Sequence, residues 1–239
     1  GTSAVNVVTL PPIEGSMEIP TLTRGDGYPM FNITYEEAME FCKRLTEQYR
    51  LAAQKLDKKT YYKLPEDLEF SLPTEAQWEY ACRAGTQTPY STGEVLLARE
   101  ANYNVVKIKE QVVVTTNDNN NNNWGEPGEN NNNQKKEKKV RFHEKNYIPR
   151  LHVVGVGNPN AFGLFDMHGN VWEWCKGCYY PYSQQKAVDP KGLRSGALNV
   201  VRGGSWYSIE RDCRSARRWD IDGKTRQNNI GFRVVIIKK

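Results

Sequence analysis

The C-terminal stretch from Arg202 to Val234 places the tightest restriction on how this chain can fold. Two glycines, Gly203 and Gly204, precede Ser205-Trp206, and such a pair indicates a backbone that turns sharply or is closely approached. From Gly231 onward the stretch is rich in β-branched residues and predicts a buried final strand. Between these ends the sequence follows neither a helical nor a strand period. A fixed frame around irregular loops is typical of binding sites and of catalytic sites.

Length and charge exclude several classes of protein. A chain of 239 residues with 38% hydrophobic residues can bury a sizeable core. It has no run of about 18 apolar residues, so the sequence predicts no membrane-spanning helix. No signal peptide is visible at its start, although an export signal could have been removed. Part of the net charge of +5 comes from the run Lys135–Lys139 beside asparagine repeats. Such a run favours a solvated loop, and we expect no nucleic-acid partner.

The five cysteines do not indicate a disulfide framework, because an odd number cannot all pair within one chain. Cys175 and Cys178 form a single C-x-x-C, for which zinc would need two further ligands. The three histidines do not stand at ligand spacing. Buried structural thiols are therefore favoured over a zinc site.

Two helices are predicted from capping boxes, in which a hydroxyl and a carboxylate or amide satisfy free backbone amides. The first box is Thr34 with Glu37, and the apolar positions that follow at helical spacing are Ala38, Phe41, Cys42, Leu45 and Tyr49. The second box is Thr74 with Gln77, with Trp78, Ala81 and Cys82 on one face and Gly85 as a left-handed stop.

The middle of the chain predicts an inserted hairpin over residues 105–147. Val105–Val114 alternates as a strand, and Lys139–Phe142 could be its partner. The asparagine-rich tract between them cannot bury enough apolar surface to offset its ordering entropy, which predicts a mobile tip. Near the start, Val5–Leu10 is typical of a strand, and Arg24-Gly25-Asp26 is either a turn or an adhesion-like tripeptide.

Three stretches in order resemble one family. They are LPTEAQWEYACRAGT (Leu72–Thr86), NAFGLFDMHGNVWEW (Asn160–Trp174) and, from Arg202, RGGSW followed by CRSARR and NIGFRVV. Together they are similar to the formylglycine-generating enzymes, also called sulfatase-modifying factors. The resemblance implies an α+β, C-type lectin-like fold with two helices, small twisted antiparallel sheets and much irregular loop. We expect residues 1–239 to form a single such domain.

The resemblance also shows a departure at the active-site position of the enzymes. There, two cysteines five residues apart follow the GGSW-like motif, bind copper and oxidise a substrate cysteine. This chain has Ser208 at the first position and Cys213 at the second. A serine hydroxyl is a poor ligand for a soft metal and cannot cycle through a thiolate or disulfide. We therefore expect no copper and no enzymatic activity.

A second branch of the family resembles the chain better, namely the variable proteins of diversity-generating retroelements. Their frame repeats GGSW, CRSA and GFR, and their variable segment lies at the C-terminus, here 202–239. Adenine-directed mutation of asparagine codons yields Tyr, Ser, Ile, Asp, Thr or Asn, which are common between the framework residues of this stretch. The candidate ligand-binding residues are Tyr207, Ser208, Ile209, Arg211, Asp212, Trp219, Asp220, Ile221, Asp222, Thr225, Asn228 and Asn229.

These residues match the chemistry of binding surfaces, in which aromatic anchors stand among short polar side chains. We expect them to face solvent, and we expect Trp206, Cys213, Ala216 and Phe232 to be buried. Full burial of Ile209, Trp219 and Ile221 would contradict a binding site. The partner would be an unknown protein or surface ligand. A formylglycine-generating-type oxidase and an adhesin without diversification remain alternatives.

Two further expectations come from the resemblance alone. The treponemal variable proteins of this class are surface lipoproteins, which implies an exported protein held at a membrane only through a lipid anchor absent from this chain. The family's structural calcium site maps onto Asp166, Gly169, Val171 and Glu173. Two carboxylates and two carbonyls suit calcium. Alternatively, the two carboxylates hold the loop by accepting backbone amides.

Overall fold

The computed structural model describes residues 27–55, 64–104, 111–114, 137–140, 150–182, 190–193 and 195–239. The helices are α1 (Tyr35–Lys55) and α2 (Glu75–Arg83), and the strands are β1 (Leu68–Ser71), β2 (Gln111–Val114), β3 (Glu137–Val140), β4 (Trp172–Cys178), β5 (Asn199–Arg202), β6 (Arg218–Ile221), β7 (Ile230–Gly231) and β8 (Val235–Lys238). One short 3-10 helix spans Glu210–Cys213. The predictions for Val5–Leu10, for Arg24-Gly25-Asp26 and for the asparagine-rich tip fall outside the described residues.

Both predicted capping boxes are present. At α1, the Thr34 amide donates to Glu37 Oε2 at 2.9 Å, and the Glu37 amide donates to Thr34 Oγ1 at 3.2 Å. At α2, Thr74 and Gln77 exchange the same pair of hydrogen bonds. This helix ends at Ala84, which adopts the left-handed conformation (φ 45°) one residue before the expected stop.

A four-stranded sheet in the order β6-β5-β4-β7 forms the centre of the fold. β4 pairs antiparallel with β5 and parallel with the two-residue β7, while β6 pairs antiparallel with β5 at the sheet edge. Since β5, β6 and β7 all lie in the segment from Asn199 onward, this sheet holds both ends of the irregular C-terminal loops.

The prediction of one buried final strand is wrong. The segment contributes β7 to the central sheet, and β8 then pairs antiparallel with β1 in a separate two-stranded sheet. Along β8, half-buried residues alternate with exposed ones. Phe232, Arg233 and Val234 lie between the two strands. Within this break, Arg233 binds the carboxylate of Glu173.

The middle of the chain contains a strand pair. Gln111–Val114 pairs antiparallel with Glu137–Val140, and the remainder of the two stretches named from the sequence lies outside the described residues.

The core consists of three buried clusters. The largest lies between α1 and the central sheet around Trp174 and Trp172, and a second surrounds Trp78 of α2. Tyr90, Leu96 and Cys213 belong to the third, which lies beneath the 3-10 helix.

The predicted helix faces are largely confirmed. Ala38 and Cys42 of α1 and Cys82 of α2 are buried. Phe41 is exposed instead and packs edge-on against Phe232, with ring centroids 5.3 Å apart.

The cysteines are all free thiols, and four of the five are buried, with only Cys178 half-buried. Among the described helices, none is both long enough and apolar enough to cross a membrane.

Replacing Thr74 with alanine tests the cap that positions α2. Loss of the hydroxyl leaves the Gln77 amide without its partner, so we expect a loss of about 1 kcal/mol of stability. For a chain of this size that lowers the melting temperature by roughly 2–4 °C. Thr74→Ser keeps the hydroxyl and is the matched control. Equal melting of both variants with the wild type would contradict a stabilising cap.

Candidate functional site

The two glycines before Ser205 allow a close approach of backbone to core. Gly203 and Gly204 have φ values of 98° and 75°, a region that side chains disfavour. A Cβ on Gly204 would lie 2.5 Å from Cys213 Sγ, and one on Gly203 would lie 3.0 Å from the Trp78 ring. The sharp turn predicted from the sequence is therefore confirmed, and its cause is contact with Trp78 and Cys213.

The turn after these glycines joins the two irregular loops. The Ser205 amide donates to Ser208 Oγ at 3.0 Å, and the two hydroxyl oxygens lie 3.0 Å apart. Asn229 Nδ2 donates to Ser205 Oγ at 3.3 Å, and the Trp206 indole N–H reaches the Asn228 carbonyl at 3.4 Å. The loop over residues 205–212 and the loop over 219–229 therefore form one continuous surface. We call this the C-terminal loop surface.

The second loop is held against the residues before α1. The Tyr35 amide donates to the Gly223 carbonyl and the Asn32 amide to the Gln227 carbonyl, each at 2.9 Å. Arg226 forms an ion pair with Glu37 of α1. The loop is thus fixed at several points by its backbone, which leaves many of its side chains outside the core.

The predicted binding residues are spread between exposed and half-buried positions, and none is fully buried. Tyr207 is 65% exposed and meets Trp206 edge-on, with ring centroids 5.5 Å apart. The other exposed members are Arg211, Asp222 and Asn228. The half-buried members are Ser208, Ile209, Asp212, Trp219, Asp220, Ile221, Thr225 and Asn229. The expectation that all of them face solvent is therefore correct only in part.

Trp219 and Ile221 are half-buried because they lie on β6 and alternate with Arg218 and Asp220. Both pack against the largest core cluster, and the Trp219 ring meets Trp172 edge-on at 5.3 Å between centroids. They therefore have a packing role as well as an accessible part. Neither they nor Ile209 shows the full burial that would contradict a binding site.

The expected buried frame needs correction at three of four positions. Cys213 is fully buried as predicted. Trp206 is half-buried because its indole caps the Asn228 carbonyl near the surface, and Phe232 is half-buried beside the exposed Phe41. Ala216 is exposed in the turn after the 3-10 helix, where Ser215 is buried instead.

The positions of the enzymes' two cysteines show no reactive pair. Burial raises the pKa of the Cys213 thiol, which is fully inaccessible and held under Gly204. It is therefore a protonated, unreactive group near neutral pH. The Ser208 hydroxyl lies against Ser205 in the turn.

A buried histidine that the sequence analysis did not single out supports the loop from below. His168 Nδ1 lies 2.7 Å from the Cys213 carbonyl, so it is the donor, and Nε2 accepts from the Ser91 amide at 3.0 Å. The Ser91 hydroxyl lies 2.9 Å from the same nitrogen. These contacts fix a neutral imidazole, and burial lowers the pKa of His168. Its position within the motif Asn160–Trp174, which carries the family resemblance, was the signal that could have identified it.

A network of arginines and carboxylates that was also missed joins α2 to β5 and β6. The fully buried Arg202 pairs with Glu79 and lies 3.3 Å from Glu75, while Arg218 binds Glu75 with two hydrogen bonds. The Arg218 guanidinium also stacks between two tyrosine rings, at 4.4 Å from Tyr179 and 4.0 Å from Tyr182. These contacts fix the edge strand from which the second loop begins.

Of the four residues assigned to calcium (Asp166, Gly169, Val171 and Glu173), the two carboxylates accept hydrogen bonds from protein donors. Glu173 accepts two hydrogen bonds from Arg233 and one from the Trp78 indole, so both of its oxygens are engaged. Asp166 Oδ2 accepts a hydrogen bond from the Gly155 amide at 2.7 Å. This agrees with the alternative expectation that the carboxylate holds its loop by accepting a backbone amide. Among the described residues, no group of three or more His, Cys, Asp or Glu side chains could hold a metal ion; the site implied by the resemblance has only two such side chains and two backbone carbonyls.

Acid should destabilise the fold through His168. Its folded-state pKa is lower than that of the unfolded chain, so the unfolded state takes up a proton first as pH falls. Stability is therefore complete above about pH 6.5 and falls below it by up to about 1.4 kcal/mol per pH unit, until the folded-state pKa is reached. Urea unfolding at several pH values between 5 and 7.5 measures this slope.

The control is His168→Asn, which keeps a donor near the Cys213 carbonyl but does not titrate in this range. We expect a flatter pH profile and lower stability at pH 7. The half-buried His152 also has a pKa lowered by burial, so His152→Asn separates its share. A His168→Asn profile as steep as that of the wild type would show that His168 is not the titrating group.

Comparisons with known proteins agree with this geometry. The profile of the sulfatase-modifying factor enzyme 1-like domain matches residues 12–238. The formylglycine-generating enzyme of Streptomyces coelicolor is 31% identical over 168 residues, or 68% of this chain and 45% of that enzyme. The serine/threonine-protein kinase pkn1 of Chlamydia pneumoniae is 40% identical over 79 residues, or 31% of this chain and 13% of the kinase. The chain thus spans less than half the length of either relative.

Two solved structures share the fold. Treponema denticola variable protein 1 aligns with a TM-score of 0.60 at 24% identity, over 96% of this chain and 75% of that one. PvdO from Pseudomonas aeruginosa aligns with a TM-score of 0.59 at 21% identity, over 91% and 64% of the respective chains. Relatives of this fold thus include enzymes and a variable protein. With two helices and small sheets in the predicted α+β, C-type lectin-like arrangement, and with the profile match over nearly its whole length, the chain belongs to the formylglycine-generating enzyme, or sulfatase-modifying factor, family.

Proposed function

We propose that this chain is a non-catalytic binding protein whose C-terminal loop surface recognises a ligand, and that this segment is diversified by a retroelement. The observation that supports the proposal most is the pair Ser208 and Cys213. The only thiol at the two positions is fully buried, and its partner position holds a hydroxyl within a turn.

Chemistry argues against oxidation at this place. Two thiolates hold copper because sulfur is a soft, anionic ligand, and a serine hydroxyl is neither soft nor ionised near neutral pH. Cys213 would have to lose its proton in an apolar setting, where burial raises its pKa. It would also have to become accessible to a substrate from beneath Gly204.

The surface itself offers the contacts that binding requires. Tyr207 is an exposed aromatic ring braced by Trp206, so it can cover a partner with little loss of side-chain entropy. The half-buried side chain of Trp219 packs partly against the largest core cluster, and the rest of its surface is accessible to a partner. Around them, carboxylates, amides and a hydroxyl can form hydrogen bonds to partners of different shape.

Diversification fits the way the loops are held. Their turns are fixed by backbone groups, by Ser205 and by the glycines, together with the side chains of two candidate variable residues, Ser208 and Asn229. Exposed members such as Tyr207 and Asn228 can change without loss of packing. At Trp219 and Ile221, by contrast, the core contact favours large apolar residues. Export to the cell surface through a lipid anchor is part of the same proposal and rests on the resemblance alone.

The surrounding DNA tests diversification directly. We expect a near-copy of the codons for the 202–239 segment close by, differing from the gene at adenines and accompanied by a reverse transcriptase gene. The absence of both from the complete genome would reject diversification and leave an adhesin with a fixed surface. That result would not affect the fold.

The rival function is oxidation of a substrate cysteine, which is favoured by the 31% identity to the Streptomyces coelicolor formylglycine-generating enzyme. We expect no conversion of a sulfatase-type cysteine peptide to formylglycine when the purified chain is incubated with copper(I) and oxygen. Mass spectrometry of the peptide measures the product, with a formylglycine-generating enzyme as positive control. Ser208→Ala should behave like the wild type. Copper-dependent product from the wild type would establish the rival.

A further inference from the structure

A partly open cavity of about 170 Å³ lies between helix α1 and strand β1. Its wall consists of helix residues between Met39 and Arg50, of residues 69–71 on the strand, and of Lys239. This volume is far larger than one ordered water molecule needs, so a single buried water would not fill it. Among the described residues that line the cavity, none belongs to the C-terminal loop surface, so this is a separate place in the fold.

Hydrogen bonds between the helix and the strand hold the cavity in shape. Thr46 Oγ1 donates to the Cys42 carbonyl and accepts from the Phe70 amide, each at 2.9 Å. Arg50 Nη2 donates to the Leu68 carbonyl at 2.8 Å. The guanidinium of Arg50 is therefore fixed against β1 through one of its terminal nitrogens, at the wall of the cavity.

Two polar atoms of the residues in this wall have no hydrogen-bond partner. Across the described residues, three buried side-chain nitrogen or oxygen atoms lack one, namely Arg50 Nε, Ser71 Oγ and Arg202 Nε. Arg202 is nevertheless paired by charge, because its Nε lies 3.3 Å from Glu75 Oε1. The other two atoms belong to residues that line this one cavity, and Ser71 is only 2% exposed. Since an unpaired buried polar group is unfavourable, a group bound in the cavity would stabilise both.

The chemistry of the two atoms defines the missing partner as a hydrogen-bond acceptor. Arg50 Nε can only donate, and the Ser71 hydroxyl can donate as well. The positive charges of Arg50 and of the exposed Lys43 favour an acceptor that is negatively charged. Glu47 and Glu69 also line the cavity and would repel an anion with several charges. Because both unpaired atoms are enclosed, only a small group can reach them.

We propose that this cavity binds a small, singly charged oxyanion such as a carboxylate, which accepts hydrogen bonds from Arg50 Nε and Ser71 Oγ. The bound anion connects α1 to β1 and stabilises the folded chain. The inference does not depend on the proposed recognition of a ligand by the C-terminal loop surface, since the two places share no lining residue. Either proposal can therefore fail without the other.

Thermal unfolding in two sodium salts tests the site. Acetate is the probe, and chloride at equal ionic strength is the reference, so that charge screening is the same in both. At about ten times its dissociation constant, acetate should raise the melting temperature by roughly 3–6 °C above that in chloride. Ser71→Ala removes one of the two donors and should lose most of this rise. Lys238→Gln changes an exposed cation that does not line the cavity and should keep the full rise.

Two results would overturn the proposal. One is a wild-type protein that melts at the same temperature in acetate and in chloride. The other is an equal rise in the wild type and in Ser71→Ala, which would show that acetate acts on the protein in general. If Ser71→Ala does not fold, NMR of the isotopically labelled wild type decides. On addition of acetate, the side-chain Nε–H signal of Arg50 should move downfield and reach a plateau, and a signal that stays in place contradicts the site.

Discussion

The pairing of Glu173 with Arg233 joins elements that are far apart in the sequence. Glu173 stands in the central strand β4, Trp78 reaches it from α2, and Arg233 comes from the segment between β7 and β8. Because the carboxylate is buried, loss of Arg233 would leave a charge unpaired in the core. Arg233 lies two residues after β7, so the pairing holds the segment that follows this strand against β4.

The C-terminal loop surface is attached to the buried core near this junction. The glycines over Trp78 and Cys213 permit the close approach that brings Ser205 beside Ser208 and Asn229. Beneath the same turn, His168 binds the Cys213 carbonyl. The loops are thus supported by backbone and framework groups together with the side chains of Ser208 and Asn229. A surface built in this way can accept new side chains while its shape is retained, which is what a variable binding site requires.

The sequence was informative where local chemistry decides the structure. Capping boxes predicted the starts of both helices, and Gly203-Gly204 predicted a close approach. The C-terminal motifs predicted the family through resemblance. Prediction of strand bounds and side-chain burial failed where these depend on contacts with residues far away in the sequence. Nothing near Phe232 shows that the β-branched run is interrupted or that Arg233 binds Glu173. The alternation of Trp219 and Ile221 toward the core depends on pairing with β5, which local sequence does not specify. Burial of Ser215 in place of Ala216 likewise depends on the packing of its turn.

The central claim is that a fixed frame holds a surface whose residues can change. The most direct measurement is a saturation library over residues 203–231, displayed on cells and sorted for folding by resistance to protease. The account predicts broad tolerance at Tyr207, Arg211, Asp222 and Asn228, and apolar restriction at Trp219 and Ile221. It predicts intolerance at Gly203, Gly204 and Cys213, and at Gly231, where a Cβ would lie 2.2 Å from the Met30 carbonyl oxygen. Uniform intolerance across the exposed positions, or tolerance at the glycines, would contradict it.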